Sequence, residues 1–323
     1  MKLEDQLRGR IRQRGMSIHT EDSYAGWYRR YVRYHQMRHP GEMGAPEITE
    51  FLTHLAVTEN VAPSTQNQAL NALVFLYRHV LEMEVEGIDA VRPKKARKLP
   101  TVLSTEEIAL LFRRLKGLSL LQARVLYGCG LRLNECLHLR IKDVDLNQKT
   151  LWVRAGKGSK DRCLELPESL LSPMQDQIHL ARNLYEADRA SNLPGVYLPH
   201  ALDRKDPGAS TALAWYWLFP ASRISDDPRT GLSRRHHVHA NSIGGAIKRA
   251  TRAADIPKKV SARTLRHSYA THLLLAGADL RSIQEALGHA SIKTTEVYLH
   301  IVDSMRGRLG NPLDSLEIPI PEA

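Results

Sequence analysis

The 323-residue chain has no apolar run long enough to cross a bilayer as a helix, and its first residues lack the pattern of a secretory leader. The expected compartment is therefore the cytoplasm. Cysteine is scarce. Cys129, Cys136 and Cys163 make an odd count without metal-ligand spacing, which excludes a disulfide scaffold and points to reduced, buried thiols. Acidic residues run short as well. There are 35 Asp and Glu against 46 Lys and Arg, a net charge of +11. An excess of that sign suits a polyanion partner, DNA or RNA first.

What is present fits a soluble globular chain. Its 42% hydrophobic and 25% charged residues are close to the average, and its length allows two domains with cores of their own. Residues 1–88 read as an all-helical unit. Leu3, Leu7 and Ile11 keep one face, and Tyr24, Trp27, Tyr28 and Tyr31 another. Pro46 and Pro63 open two further helices, since proline in the first turn gives up only an N–H that has no partner. The aromatic stripe has core spacing. Arg29, Arg30 and Arg33 lie mostly opposite it and are the better candidates for phosphate contacts. Nothing in this unit suggests catalysis.

Residues 89–103 read as a basic linker. Arg92, Lys94, Lys95, Arg97 and Lys98 crowd into seven positions, with Pro93 and Pro100 nearby, where like charges extend the chain. Lying along phosphates, Lys94, Lys95, Arg97 and Lys98 would add salt-dependent affinity.

A second domain, 104–323, opens with the capping box Ser104-Thr-Glu-Glu107. Gly128 and Gly130 break the chain before a helix starting near Arg132, with Glu135 at i+3. Three strand candidates follow at 141–145, 150–154 and 162–166. The fold class is thus mostly α with a small antiparallel β-sheet. GKGSK at 156–160 joins the last two strands and puts Lys157 at its tip; its spacing rules out a Walker A loop. A helix is expected from Ser172 to Leu184. An irregular segment at about 185–240 is long for a connection. It carries Trp215 and Trp217, then Arg234, Arg235, His236, His237 and His239. These histidines lack the Cys or carboxylate company a zinc site needs, so phosphate contact by Arg234 and Arg235 is the preferred reading.

The stretch RTLRHSYATHLLLAGADLRSIQEALGHASIKTTEVYLH, 263–300, holds three helical segments. Gly277 ends the first, Asp279 opens the second, and Ser291 is expected to cap the third, which carries Tyr298. Arg266, His267, His289 and Tyr298 sit within this scaffold.

The segments LRHSYATHLL and LGHASIKTT, with the tyrosine that follows and the upstream G-x-G-L-R-x-x-E box, resemble the tyrosine recombinase (phage-integrase) family. The long insertion is similar to that of integron integrases. The resemblance implies a two-domain architecture, a helical core-binding domain and a mixed α/β catalytic domain forming a C around DNA. It implies a site-specific recombinase that integrates or excises gene cassettes at the bacterial nucleoid, with homotetramers on DNA and a C-terminal tail docking on a neighbouring protomer. In that pattern Tyr298 is the nucleophile and Arg132, Arg266 and His289 hold the phosphate. Lys157 protonates the departing 5′ oxygen, and Glu135 orients Arg132. No metal or other cofactor is expected, because the cationic side chains take the place of a metal. The insertion implies contacts to unpaired bases of folded single-stranded sites. Trp215 and Trp217 either stack such bases or anchor a core.

One position departs from the family. The box around Arg266 normally begins with histidine; here it begins with Arg263, which is no base at neutral pH. Cleavage is expected to be slower than with histidine, and Arg263→His to speed it. His267, one residue past Arg266, is expected to pack or cap. Two alternatives remain: a Xer-like or phage recombinase, and a DNA-binding protein with a degraded site.

Overall fold

The computed structural model describes residues 2–85, 99–154, 161–199, 202–228 and 230–305. The chain divides into two compact units, Met1–Lys98 and Leu99–Ala323.

The first unit holds helices α1 (Leu3–Gln13), α2 (Ile18–Tyr34), α3 (Ala45–Val57) and α4 (Pro63–Leu76). Pro46 and Pro63 do stand in first turns. The apolar faces close on Leu7, Ile11, Trp27, Tyr31, Phe51, Leu55, Leu73 and Tyr77. Each fully buried side chain of this size stabilises the unit by about 1.5–3 kcal/mol. The Tyr31 and Tyr77 hydroxyls, both buried, satisfy each other at 3.0 Å. Glu21 is buried between α1 and α2, where Arg8 and Arg12 of α1 neutralise it.

The second unit begins with α5 (Thr105–Arg114), whose capping box at Ser104 and Glu107 forms as expected. Helix α6 (Gly117–Gly128) and the short α7 (Leu133–Leu137) follow. Strands β1 (Val144–Asp145), β2 (Thr150–Val153) and β3 (Arg162–Glu165) make an antiparallel sheet in that order, with Val144 opposite Leu151 and Trp152 opposite Cys163. The first strand is shorter than the sequence suggests. Ile141–Asp143 forms a 3-10 turn instead, because Asp143 reaches back to cap the Arg140 N–H at 2.9 Å. Helix α8 (Glu168–Ala190) runs well past the 172–184 expected and carries Pro173 in its interior, where the Ser169 carbonyl that loses its intrahelical donor accepts from Arg124 Nη2 at 2.9 Å.

The insertion is folded rather than irregular. It has a short helix α9 (Leu202–Lys205), two 3-10 turns and a hairpin of β4 (Pro220–Asp226) with β5 (Ser233–His237). Val196, Leu198, Ala209, Tyr216 and Trp217 pack on Ala181 of α8 as a small core. The unit ends with α10 (Ala240–Ala253), α11 (Ala262–Leu275), α12 (Leu280–Leu287) and α13 (Val297–Met305). Helix α11 ties two cores together. Leu265 enters the main one, and Ala270 enters a second with Ile283, Leu287, Tyr298 and Ile301. Asp279 caps α12 through the Arg281 and Ser282 N–H groups. Ser291 does not cap the helix of Tyr298; it precedes a 3-10 turn, Ile292–Thr294, without a side-chain cap. Among the described residues, no helix is long and apolar enough to cross a membrane.

Candidate active site

Helix α12 ends at Gly288, whose φ of 61° lies in the left-handed region that glycine enters without strain. That turn leaves the last carbonyls of the helix without intrahelical donors. Three arginines take them. Arg162 Nε donates to the Ala286 carbonyl at 2.9 Å, Arg266 Nη2 to Leu287 at 2.6 Å, and Arg132 Nη2 to Gly288 at 3.1 Å. The partial negative charge of a helix C-terminus favours cations at this point.

Glu135 gathers the same three arginines from the other side. Arg132 Nη1 lies 2.6 Å from its carboxylate, Arg162 Nη2 2.6 Å, and Arg266 Nη1 3.6 Å. The carboxylate also accepts the Arg132 backbone N–H at 2.8 Å, closing the first turn of α7. Burial works to raise the Glu135 pKa, but the bonds from Arg162 and Arg132 outweigh it and hold the group below its ordinary value. Arg266 is 5% exposed, and burial pulls its pKa down to about 10, with Arg132 adding like-charge repulsion. A further bond runs from Arg266 Nη1 to the Gly130 carbonyl at 2.8 Å. Gly130 has φ 61°, and a Cβ there would lie 2.4 Å from the Tyr269 ring, so this turn requires glycine.

His289 follows Gly288 directly. Its Nε2 lies 3.1 Å from Arg266 Nη2 and its Nδ1 3.0 Å from Thr295 Oγ1. Burial, then the charges of Arg266 and Arg132, push its pKa down to about 4. Tyr298, on α13, is 1% exposed. Burial raises its pKa, opposed by Arg266, Arg263 and Arg132. Its hydroxyl meets Nδ1 of His267 at 2.9 Å. His267 thus neither caps nor merely packs, as its position in the sequence suggested. Arg263, one helical turn back, is exposed and donates from Nε to His267 Nε2 at 3.2 Å.

The structure therefore brings Arg132, Arg266 and His289 into one bonded group and Arg263 and Tyr298 into a second, near enough that the charges of Arg266, Arg263 and Arg132 act on Tyr298. Lys157 lies outside the described residues, as do Lys94, Lys95, Arg97, Lys98 and the tail from 306 onward. Arg162, which the sequence did not single out, joins the first group, and His267, expected only to pack or cap, joins the second. Arg162 gives no local signal, because its partners are 27 and 124 residues away in the chain. His267 has one in retrospect. It stands four residues after Arg263, a spacing that stacks side chains on a helix.

The remaining candidates divide. Arg29 and Arg33 are exposed on α2. Arg30 pairs with Glu59 at 2.6 Å and lies over the Trp27 ring. Arg234 and Arg235 do not face solvent, which corrects the expected phosphate contacts. Arg235 meets the buried Asp188 of α8 through both Nε, at 2.7 Å, and Nη2, at 2.6 Å; Arg234 is buried beside Asp227. Neighbouring residues of a strand point to opposite faces, and on each face one of the two arginines meets a buried carboxylate, Asp227 or Asp188. Trp217 is a core residue. It is 4% exposed, donates from Nε1 to the Arg235 carbonyl and carries the Arg140 guanidinium on its face. Trp215 is half-buried, with the Lys142 ammonium over its ring.

Comparison with known proteins agrees with this geometry. Residues 95–305 match the model of the phage integrase family, and residues 3–86 match that of its N-terminal SAM-like domain. A protein described as an integrase/recombinase from Escherichia coli is 43% identical over 317 residues, spanning 98% of this chain and 94% of its own. Tyrosine recombinase XerC of Halalkalibacterium halodurans is 34% identical, spanning 79% and 76%. Among solved structures, the XerH site-specific recombinase bound to difH substrate superposes with a TM-score of 0.60 at 20% identity, covering 96% of this chain and 85% of that one. The Tn1549 transposon integrase in complex with a circular intermediate DNA gives 0.60 at 16% identity, covering 96% and 100%.

Proposed function

The chain belongs to the phage integrase family of tyrosine recombinases, and from that premise we propose that it cleaves and rejoins DNA at specific sites through Tyr298. The observation that carries this is the convergence of Arg132, Arg266 and His289 at the end of α12, close enough for the arginine charges to act on Tyr298. Tyrosine is a weak nucleophile at neutral pH, with a pKa of about 10. It becomes effective where the phosphate it attacks is polarised and the developing charge is held. Guanidinium forks match phosphate oxygens. Arg132 and Arg266 keep N–H donors beyond those bound to carbonyls, and these face the non-bridging oxygens. His289 Nε2 accepts from Arg266 here, so His289 joins them as a donor once that contact opens and its ring proton moves from Nδ1 to Nε2.

The Tyr298 oxygen bonds to phosphorus as the bond from phosphorus to the 5′ oxygen breaks, and Lys157 gives the leaving oxygen its proton. The product is a 3′-phosphotyrosyl link, which keeps the bond energy, so rejoining needs neither ATP nor a metal. DNA contacts come from Arg29, Arg33 and the basic linker as well, and four protomers act per synapse. The DNA complexes of XerH and the Tn1549 integrase support a DNA partner.

A suicide DNA substrate tests the chemistry. The full chain is expected to form a covalent adduct that Tyr298→Phe abolishes. No adduct on any site tried would favour a DNA-binding protein with a silent centre.

The finer assignment is an integron integrase that moves gene cassettes. The folded insertion between α8 and α10 supports it, with the half-buried Trp215 and the exposed strand β4 on its surface. Preferential cleavage of folded single-stranded sites over duplex sites is expected. Equal use of a palindromic duplex would favour the Xer-like reading, which the XerC relative also suggests.

A further inference from the structure

Arg263 occupies the position where the family resemblance expects a histidine. It does not replace that histidine directly, since a guanidinium stays protonated at neutral pH. What it does is set the state of another one. A neutral imidazole has one donor nitrogen and one acceptor nitrogen. The Arg263 Nε–H points at His267 Nε2 from 3.2 Å, so Nε2 must be the acceptor. The ring proton then sits on Nδ1, and Nδ1–H donates to the Tyr298 oxygen at 2.9 Å. The other tautomer would set two N–H groups against each other. The imidazolium would do the same and add like-charge repulsion. Burial, with Arg263 and Arg266 nearby, holds the ring's pKa down to about 4, which keeps it neutral at pH 7.

We propose that Arg263 and His267 form a relay to the nucleophile, in which Arg263 fixes the His267 tautomer and the His267 Nδ1–H steadies the charge that develops on the Tyr298 oxygen. The relay depends on Tyr298 being the attacking group. A hydrogen bond donated to a forming phenolate favours it over the phenol. His267 is not the base in this scheme. The phenolic O–H points away from the imidazole, and its proton leaves on that side to a non-bridging phosphate oxygen as the new bond to phosphorus forms. Arg263 is a positioning residue, acting through His267. Histidine at 263 has no obligatory donor to hold the tautomer, so Arg263→His is expected to slow cleavage, the reverse of what the family pattern alone suggests.

The tautomer can be read without any reaction. In the full chain labelled with ¹⁵N-histidine, long-range ¹H–¹⁵N NMR correlations show which ring nitrogen carries the proton. The His267 signals are identified by their loss in His267→Asn. An Nδ1–H ring in the unmodified chain, shifting toward Nε2–H in Arg263→Leu, is expected. An Nε2–H ring in the unmodified chain, or no change in Arg263→Leu, overturns the relay.

Single-turnover adduct formation on the suicide substrate tests its use. Asparagine places an amide N–H near the imidazole Nδ1, whereas glutamine places it near Nε2. His267→Asn is expected to keep most of the rate, while His267→Gln and His267→Leu lose about 100-fold, the scale for removing one donor to developing charge. Equal rates in His267→Asn and His267→Leu overturn the proposal. Absence of any adduct with the unmodified chain would remove Tyr298 as nucleophile and the relay's function with it, whatever the NMR shows of the tautomer.

Discussion

Glu135 holds together three guanidiniums that would otherwise repel one another. Removing it leaves Arg162 and Arg266 buried without a counter-charge. Glu135→Ala is expected to cost about 3–5 kcal/mol in denaturant unfolding, the range for orphaning a buried charge. A loss below 1 kcal/mol would mean that the carbonyls of α12 suffice alone. The buried histidines give a second test. His267 and His289 have pKa values near 4 in the fold against an ordinary 6.5. As pH falls from 6.5 toward 4, the unfolded chain binds protons that the folded chain refuses, so stability drops in that window and levels off below it. With His267→Asn and His289→Gln combined, the fall in Tm between pH 7 and pH 4.5 should be shallower than in the unmodified chain. At this scale the motifs were legible where partners are close in sequence, as with Arg132 and Glu135. Arg162 was not, because only the closed fold brings β3 against α12.

Turns decide the element scale. The left-handed bend at Gly130 presents its carbonyl to Arg266 and has the Tyr269 ring against it. Gly130→Ala is expected to destabilise by about 1–3 kcal/mol through strain at positive φ and to slow adduct formation as well. Gly9 is the contrast. It lies inside α1 with open space where a Cβ would go, so Gly9→Ala is expected to stabilise by about 0.5–1 kcal/mol. Thermal unfolding of both variants checks the opposite signs. Helix periodicity and caps were readable at Ser104, Asp279 and Gly277, where each local preference agrees with the fold. They failed where a side-chain bond to a carboxylate overrode the strand pattern. Asp143 turned a strand start into a 3-10 turn, and Asp188 drew Arg235 inward from a strand that reads as a basic surface. Asp188 is 47 residues from Arg235 and gives no local sign, whereas Asp143 acts over three residues, at capping-box spacing.

For the whole molecule, two cores were legible from the basic break between two helical periodicities, and the division falls at Lys98 and Leu99. The folded state of the insertion was not, because its apolar residues pack on α8 rather than on one another in sequence order. The charge of the whole chain carries its own test. If the exposed Arg33 meets a phosphate, Arg33→Ala should weaken DNA binding alike on all sequences and lower the slope of log affinity against log salt by about 1. An unchanged slope in a fluorescence titration would remove Arg33 from the footprint.

The tip of α12 has a consequence for control. Because three cations from three distant parts of the chain rest on consecutive peptide oxygens of one helical turn, fraying that turn would loosen all of them at once and leave Glu135 to hold them from one side. Loosening a few backbone dihedrals there would weaken the centre with every arginine still present, and re-forming the turn would restore it.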